Sequence, residues 1–412
     1  MGKKIFFVAL LSLISISFNQ IEAGDLPTPE SGVYPFDDLK PIDTIIGDAH
    51  FVGLGESVHA SEGYIAAKLK VIQYLVEKKG FRAFEMETPW RAARRVNQYI
   101  STCQGSPKDA LYGIFSVWWS ESTVQLFKWL CEFNQSHASD PVVFFGFDTQ
   151  SQTLEDIADL KVYLEKVAPS ESAELIQGLT PCEGYGLTKS EYQKHTTLIF
   201  AGQYTVPDDQ NASCVLGLDK IEHYLQKVPA SNELEWAKIF VIGIRGYQGE
   251  LYNFVQRSAV SFQSRDVSMA ELVERLHRLI SPTAKAILWA HNTHLSMHHD
   301  EVLTQAYSGA LSMGTLLKQR LQNDYAPIGM VGYRVGFLWP GQPPQEIPTP
   351  DLSGSVEGLL HQTGIDQAIV DLSGNFLKPG QDYGLQEEGM VPSRQFKGLI
   401  FLDRSPPMVP PQ

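Results

Sequence analysis

The chain has 412 residues, 43% hydrophobic and 19% charged, with a net charge of −14. That balance belongs to a globular chain rather than a disordered one, long enough for two or three domain-sized units or one elaborated α/β domain. A field of this sign repels nucleic acid and anionic lipid head groups, which argues against both as partners.

In chain order, Lys3 and Lys4, the apolar run from Ile5 to Phe18, and Ile21-Glu22-Ala23 before Gly24 have the three-part layout of a secretory signal peptide over 1–23. The apolar run is shorter than the roughly 20 residues a membrane-spanning helix requires. No cysteine precedes Cys103, as a lipid anchor would need. The expected product is exported, periplasmic or secreted, with no stable membrane insertion after cleavage. Export permits disulfides. Cys103 with Cys131, and Cys182 with Cys214, would each close a local loop; four cysteines allow three pairings, and free buried thiols are the alternative. No CxxC spacing occurs, which argues against a zinc–cysteine or redox site.

After an irregular lead-in with a short helix over 24–47, Phe51-Val52-Gly53-Leu54-Gly55-Glu56-Ser57-Val58-His59 reads as a buried strand feeding a tight turn. The competing reading of that stretch is a capped helix start. An amphipathic helix is predicted over 62–79, with Ile65, Leu69, Ile72, Leu75 and Val76 on one face and Gly80 ending it. A second strand, Phe81 to Glu87, alternates so that Glu85 and Glu87 share a side. Pro89 then opens a helix to about 100, and another is predicted over 122–137. Val142 to Asp148 is a near-continuous apolar strand of the kind buried on both faces. From 152 to 281 helical patterns dominate, including a long one over 232–263, with polar loops near 180–188 and 205–213. Arg265-Asp266 reads as a helix start, with Asp266 as a possible cap. The sheet resumes at Ala284 to His291, followed by a helix near 312–323, a strand near 326–335, a Pro-rich loop over 339–351, and strands near 367–372 and 397–402. The expected fold is α/β, a mostly parallel sheet flanked by helices with a large helical insertion forming a cleft. Its core comes in two parts, 24–151 and 282–412, around a helical subdomain over 152–281.

Polar groups that can reach one crevice follow four predicted strands: Glu56 with His59, Glu85 with Glu87, Asp148, and His291 with His294. Open α/β sheets bind ligands beyond such carboxyl ends. One mechanism for this inventory is a neutral imidazole, oriented by a carboxylate, that deprotonates a water attacking a carbonyl. A second histidine or an arginine would stabilise the oxyanion. The other is a divalent metal held by Glu and His. A serine nucleophile fits less well, because Ser57 lacks the G-x-S-x-G elbow. His298 and His299 read as a solvated pair, Arg91, Arg94 and Arg95 as a solvated helix face, and Trp118-Trp119 as core or as a ring-lined pocket wall.

Gly55-Glu56-Ser57-Val58-His59, Gly80-Phe81 through Glu87, Ser264-Arg265-Asp266-Val267-Ser268-Met269-Ala270-Glu271, Trp289-Ala290-His291-Asn292-Thr293-His294 and the strand Gly398 to Leu402 occur in an order that resembles the erythromycin esterase family. The resemblance implies metal-independent hydrolysis of a macrolide lactone or related ester, without a cofactor. It implies His59 as general base with Glu56 in the same motif, and Glu87 holding water or the imidazole. His291 and His294 would contact oxyanion or substrate, and Arg265 would stabilise charge. Glu85, Asp148, Trp118 and Asn292 are expected at the substrate. The alternatives are a metal-dependent hydrolase or peptidase using the Glu/His cluster, and a non-enzymatic binder of haem or an envelope ligand.

Overall fold

The computed structural model describes residues 31–150, 152–186, 207–255, 260–301, 309–377, 385 and 390–411. The segment 1–23, expected as a signal peptide, lies outside the described residues. Among the described residues nine strands form the sheet: β1 (Val33–Pro35), β2 (Phe51–Leu54), β3 (Phe81–Pro89), β4 (Val143–Asp148), β5 (Lys285–Trp289), β6 (Tyr325–Phe337), β7 (Gln345–Glu346), β8 (Gln367–Asp371) and β9 (Gly398–Ser405). Their order is β1-β8-β9-β6-β2-β5-β3-β4, with β7 pairing the end of β6. From β9 to β4 every neighbouring pair is parallel, while β8 and β1 run antiparallel at one edge. The α/β, mostly parallel fold expected from the sequence is the one observed. The lead-in strand β1, the short β7 and the helix Val356–Gln362 carried no signal that the sequence reading used.

Strand alternation divides the core into two layers. Val52, Leu54, Phe84, Met86, Phe144 and Ile287 point to one face, against the helices Glu62–Lys79, Trp90–Thr102 and Glu121–Ser136. Ala83, Phe145, Phe147, Ala286 and Leu288 point to the other, against Thr153–Val167, Asp208–Leu225, Asn232–Val255 and Val260–Ile280. The helices between β4 and β5 therefore share one continuous apolar core with the sheet. Gly80 takes the left-handed φ of +73° and ends its helix where the sequence placed the end.

Several local expectations are corrected. The long helix over 232–263 is two helices, Asn232–Val255 and Val260–Ile280, packed together with Asn253 Nδ2 donating to Ser264 Oγ at 2.9 Å. Arg265 and Asp266 consequently lie inside a helix, not at its start. The polar stretch near 205–213 belongs in part to the helix Asp208–Leu225, and 180–185 forms a 3-10 helix. His299 is not solvated: it is buried, with Nδ1 3.1 Å from Ser296 Oγ. Arg94 and Arg95 are exposed as expected, but Arg91 bridges Asp156 (2.6 Å) and Asp159 (2.7 Å).

The four cysteines form the two local pairs, Cys103–Cys131 and Cys182–Cys214, with Cα atoms 5.4 and 4.9 Å apart. The second joins residues 32 positions apart in sequence. Replacing Cys182 and Cys214 together by alanine should lower unfolding free energy by about 2–4 kcal/mol, measured by denaturant titration. An unchanged midpoint would show that the bond constrains nothing beyond what packing already fixes.

Candidate active site

The strands that the sequence singled out are β2, β5, β3 and β4, and they are consecutive in the sheet, so their carboxyl ends open on one crevice. Asn292 ties the ends of β2, β5 and β6 together. Its backbone N–H donates to Glu56 O (2.9 Å), its Nδ2 to Met330 O (3.0 Å), and its Oδ1 accepts from Met330 N (3.1 Å). A Cβ on Gly55 would lie 2.0 Å from that Oδ1, so only glycine permits this approach. Asn292 is thus engaged with backbone on both sides of its amide, as a clamp between strand ends.

The clamp delivers Glu56 into a fully built socket. Glu56 Oε1 accepts from His59 Nδ1 and from Trp118 Nε1, both at 2.6 Å, and Oε2 accepts from Lys68 Nζ at 2.7 Å. Glu56 is 1% exposed and Lys68 is fully buried, with its ammonium 4.3 Å above the Trp289 ring. Burial alone would raise the Glu56 pKa, but Lys68 and then His59 hold it at about 2. Burial pushes Lys68 down to about 8 against the pull of Glu56. Because Glu56 is a carboxylate, His59 carries its proton on Nδ1, leaving the Nε2 lone pair to accept another. The helix begins after this turn, with Ser61 as its N-cap residue, so the capped-helix reading of 56–59 fails.

The second group of charges sits beside the first. Arg265 Nη2 donates to Glu87 Oε1 (2.8 Å) and to Asp148 Oδ2. Glu87 Oε2 accepts from the backbone N–H of His291 (2.9 Å), and its Oε1 is 3.3 Å from His294 Nε2. His294 Nδ1 donates to Asp266 Oδ1 (2.7 Å), whose other oxygen accepts from Met313 N (2.7 Å). Burial opposes charge on His294, yet Asp266 and Glu87 raise it to about 10, so it is an imidazolium at neutral pH. Glu87 lies well below the usual carboxylate range: burial is outweighed by His294 and Arg265. His294 belongs to the one-turn helix Asn292–Leu295.

His291 links the two groups. Its ring centroid is 4.8 Å from that of His59. Burial and then His59 push it down to about 3, so it is neutral. Its Nε2–H donates to Ser57 O (3.1 Å) and its Nδ1 lies 3.0 Å from Thr293 Oγ1. Both ring nitrogens thus have partners in the protein.

Of the predicted residues, His59, Glu56, Glu87, Asp148, Arg265, His291, His294 and Trp118 converge. Glu85 stays beneath them: its Oε1 accepts from His277 Nδ1 at 2.9 Å, and burial raises it to about 7. Sequence reasoning missed Lys68 and undervalued Asp266. The available signal was a lysine at the centre of the buried face of its helix, between Ile65 and Ile72, where a charge needs a partner.

Fold and site together define an α/β protein with a mostly parallel sheet and a carboxylate–imidazole pair at the carboxyl edge of its strands. A family model described as erythromycin esterase matches residues 76–405, and the chain belongs to that family of hydrolases. YbfO of Bacillus subtilis (strain 168), a hydrolase by assignment only, is 25% identical over 90% of this chain and 87% of its own. Erythromycin esterase type II of Escherichia coli is 22% identical over 72% of each chain. Among solved structures, a mutant of the erythromycin esterase EreC in its open conformation superposes with a TM-score of 0.73 at 19% identity, covering 90% of this chain and 95% of that one.

With a folded pKa of about 2 against 4.5 in water, Glu56 contributes stability that is complete above pH 4.5 and lost as pH falls toward 2. Lys68→Met should cost about 3–5 kcal/mol at neutral pH by leaving the carboxylate unpaired. The gap between variant and wild type should narrow as pH falls from neutral toward 2, because the unpaired Glu56 of the variant takes up its proton at higher pH than the paired one, in denaturant midpoints taken across that range. A gap constant with pH would show that the lysine stabilises by packing alone.

Proposed function

We propose that this protein is an exported hydrolase that cleaves a lactone or related ester, such as a macrolide, by direct attack of a water that His59 deprotonates. The observation that carries the reading is the Glu56–His59 pair: Glu56 is locked as a carboxylate from three sides, so the imidazole presents Nε2 as its basic atom. In the reaction Nε2 takes a proton from water as the oxygen bonds to the carbonyl carbon. Arg265 and the His294 imidazolium supply the positive field for the oxyanion, with Glu87 and Asp148 fixing the guanidinium. Collapse breaks the carbon–oxygen bond to the alcohol, and the His59 imidazolium returns its proton to the leaving alkoxide. Acid and alcohol result, and the base is restored.

The charge inventory supports a step without a metal, since Lys68 and Arg265 already occupy the positions from which a cation would meet Glu56 and Glu87. The basic and apolar segment over 1–23 supports export, as do two disulfides, which persist in oxidising compartments.

His59→Asn should lower kcat by at least about a hundredfold, the scale of a lost general base, while circular dichroism and thermal midpoint stay at wild-type values. The measurement is steady-state hydrolysis across macrolides, simple lactones and acyl esters, each with and without a strong chelator. Activity within a few-fold of wild type would remove His59 from the role. Activity lost to chelator and restored by added metal would replace the water-attack reading with a metal-assisted one.

A further inference from the structure

The electropositive end of the site has a carboxyl neighbour that the reaction above leaves unused. Glu250, in the helix Asn232–Val255, is joined to Arg265 by three consecutive contacts. Gln150 Nε2 donates to Glu250 Oε1 (2.6 Å), and the Gln150 backbone N–H donates to Asp148 Oδ1 (3.0 Å). Asp148 in turn accepts from the guanidinium, Oδ1 from Arg265 Nε at 3.4 Å and Oδ2 from Nη2. A backbone contact locks the same two helices together: Ser261 Oγ, one turn before Arg265, donates to Glu250 O at 3.1 Å. The other carboxyl oxygen, Glu250 Oε2, is shielded from water and has no hydrogen-bond partner among the described residues. A carboxyl group in that position favours its protonated form.

The charge balance gives this neighbour its interest. Arg265 and the His294 imidazolium already face the carboxylates of Glu87, Asp148 and Asp266. Glu250 adds a further carboxyl group, and its charge state changes the field that an oxyanion would meet. Burial raises its pKa to about 7; Asp148 adds to the rise, while Arg265, Gln150 and His294 oppose it. Charges on the other helices packed against Asn232–Val255 are paired elsewhere. Asp208 accepts from Tyr252, Asp219 and Glu222 hold Arg245, and Asp156 holds Arg91. The groups that act on Glu250 are therefore those of the site itself.

Resting on the hydrolase reading above, we propose that Glu250 is a positioning residue for Arg265, uncharged when the site is most active, and that its ionisation weakens the hold of Arg265 and His294 on the oxyanion. A neutral acid that becomes charged as pH rises makes the loss grow from pH 6 to pH 8. The test follows phenol release from phenyl acetate over that range, for the full chain and for Glu250→Gln, which keeps the acceptor for Gln150 and cannot ionise. The ratio of kcat/KM at pH 6 to that at pH 8 should be larger in wild type by at least about threefold, the scale of one added charge at an effective ε of about 20. Lys68, pushed down to about 8, acts on both proteins alike. Equal ratios would overturn the proposal. Gln150→Met gives an independent reading, because it removes a donor that favours the charged form: the fall should move to higher pH, and an unmoved fall would contradict the relay. His59→Asn, run in parallel, separates the two claims, because it should lower turnover at every pH whatever Glu250 does. If phenyl acetate is not turned over, calorimetric binding of methanesulfonate, whose charge is constant over this range, decides. Affinity that weakens from pH 6 to pH 8 in wild type but not in Glu250→Gln upholds the proposal; the same dependence in both, or no binding, refutes it.

Discussion

The structure of the site depends on one buried carboxylate. Glu56 accepts hydrogen bonds from Lys68, Trp118 and His59, which come from three different parts of the chain. A carboxylate out of water without such partners would take up a proton, and the imidazole would lose the acceptor that fixes its tautomer. Lys68 is therefore more than a structural counter-ion: by keeping Glu56 charged it decides which nitrogen of His59 is basic. Trp118, expected either as core or as a pocket wall, is core and part of this socket at once.

A second constraint is the strand order. β5 lies between β2 and β3, so the chain places His291 and His294 between the Glu56–His59 turn and the Glu87 and Asp148 strand ends. The two charge groups then differ in character. In one, the His59 imidazole donates from Nδ1 to a buried carboxylate; in the other, an arginine and an imidazolium are held by Glu87, Asp148 and Asp266. Basic and electropositive sites sit side by side because each carboxylate set fixes the protonation of its own neighbours, with the neutral His291 between them.

Much of this was legible in the sequence because strand ends announce themselves. An apolar run that stops at Gly55-Glu56, at Glu87 or at Asp148 marks both the strand and the side on which its polar group emerges. The helix Glu62–Lys79 matched its predicted bounds because Gly80 supplies a left-handed stop. What stayed hidden was set by tertiary partners. Asn292 looks like a site residue in a histidine-rich motif, yet it clamps β6, which lies distant in sequence. Lys68 looks like an ordinary charge in an amphipathic helix until Glu56 is seen opposite it. Asp266 looked like a cap because the helical pattern over 232–263 placed a boundary just before it, whereas it lies inside Val260–Ile280. His299 looked solvated because Phe262, which packs against its ring, lies distant in sequence.

The central claim is that Glu56 and His59 act as one unit. A double-mutant cycle in kcat, using Glu56→Gln, His59→Asn and the pair together, tests it most directly. The account predicts that each single change lowers kcat and that the double variant is no slower than His59→Asn alone. Losses that multiply would mean that the two residues contribute independently, and would contradict the account.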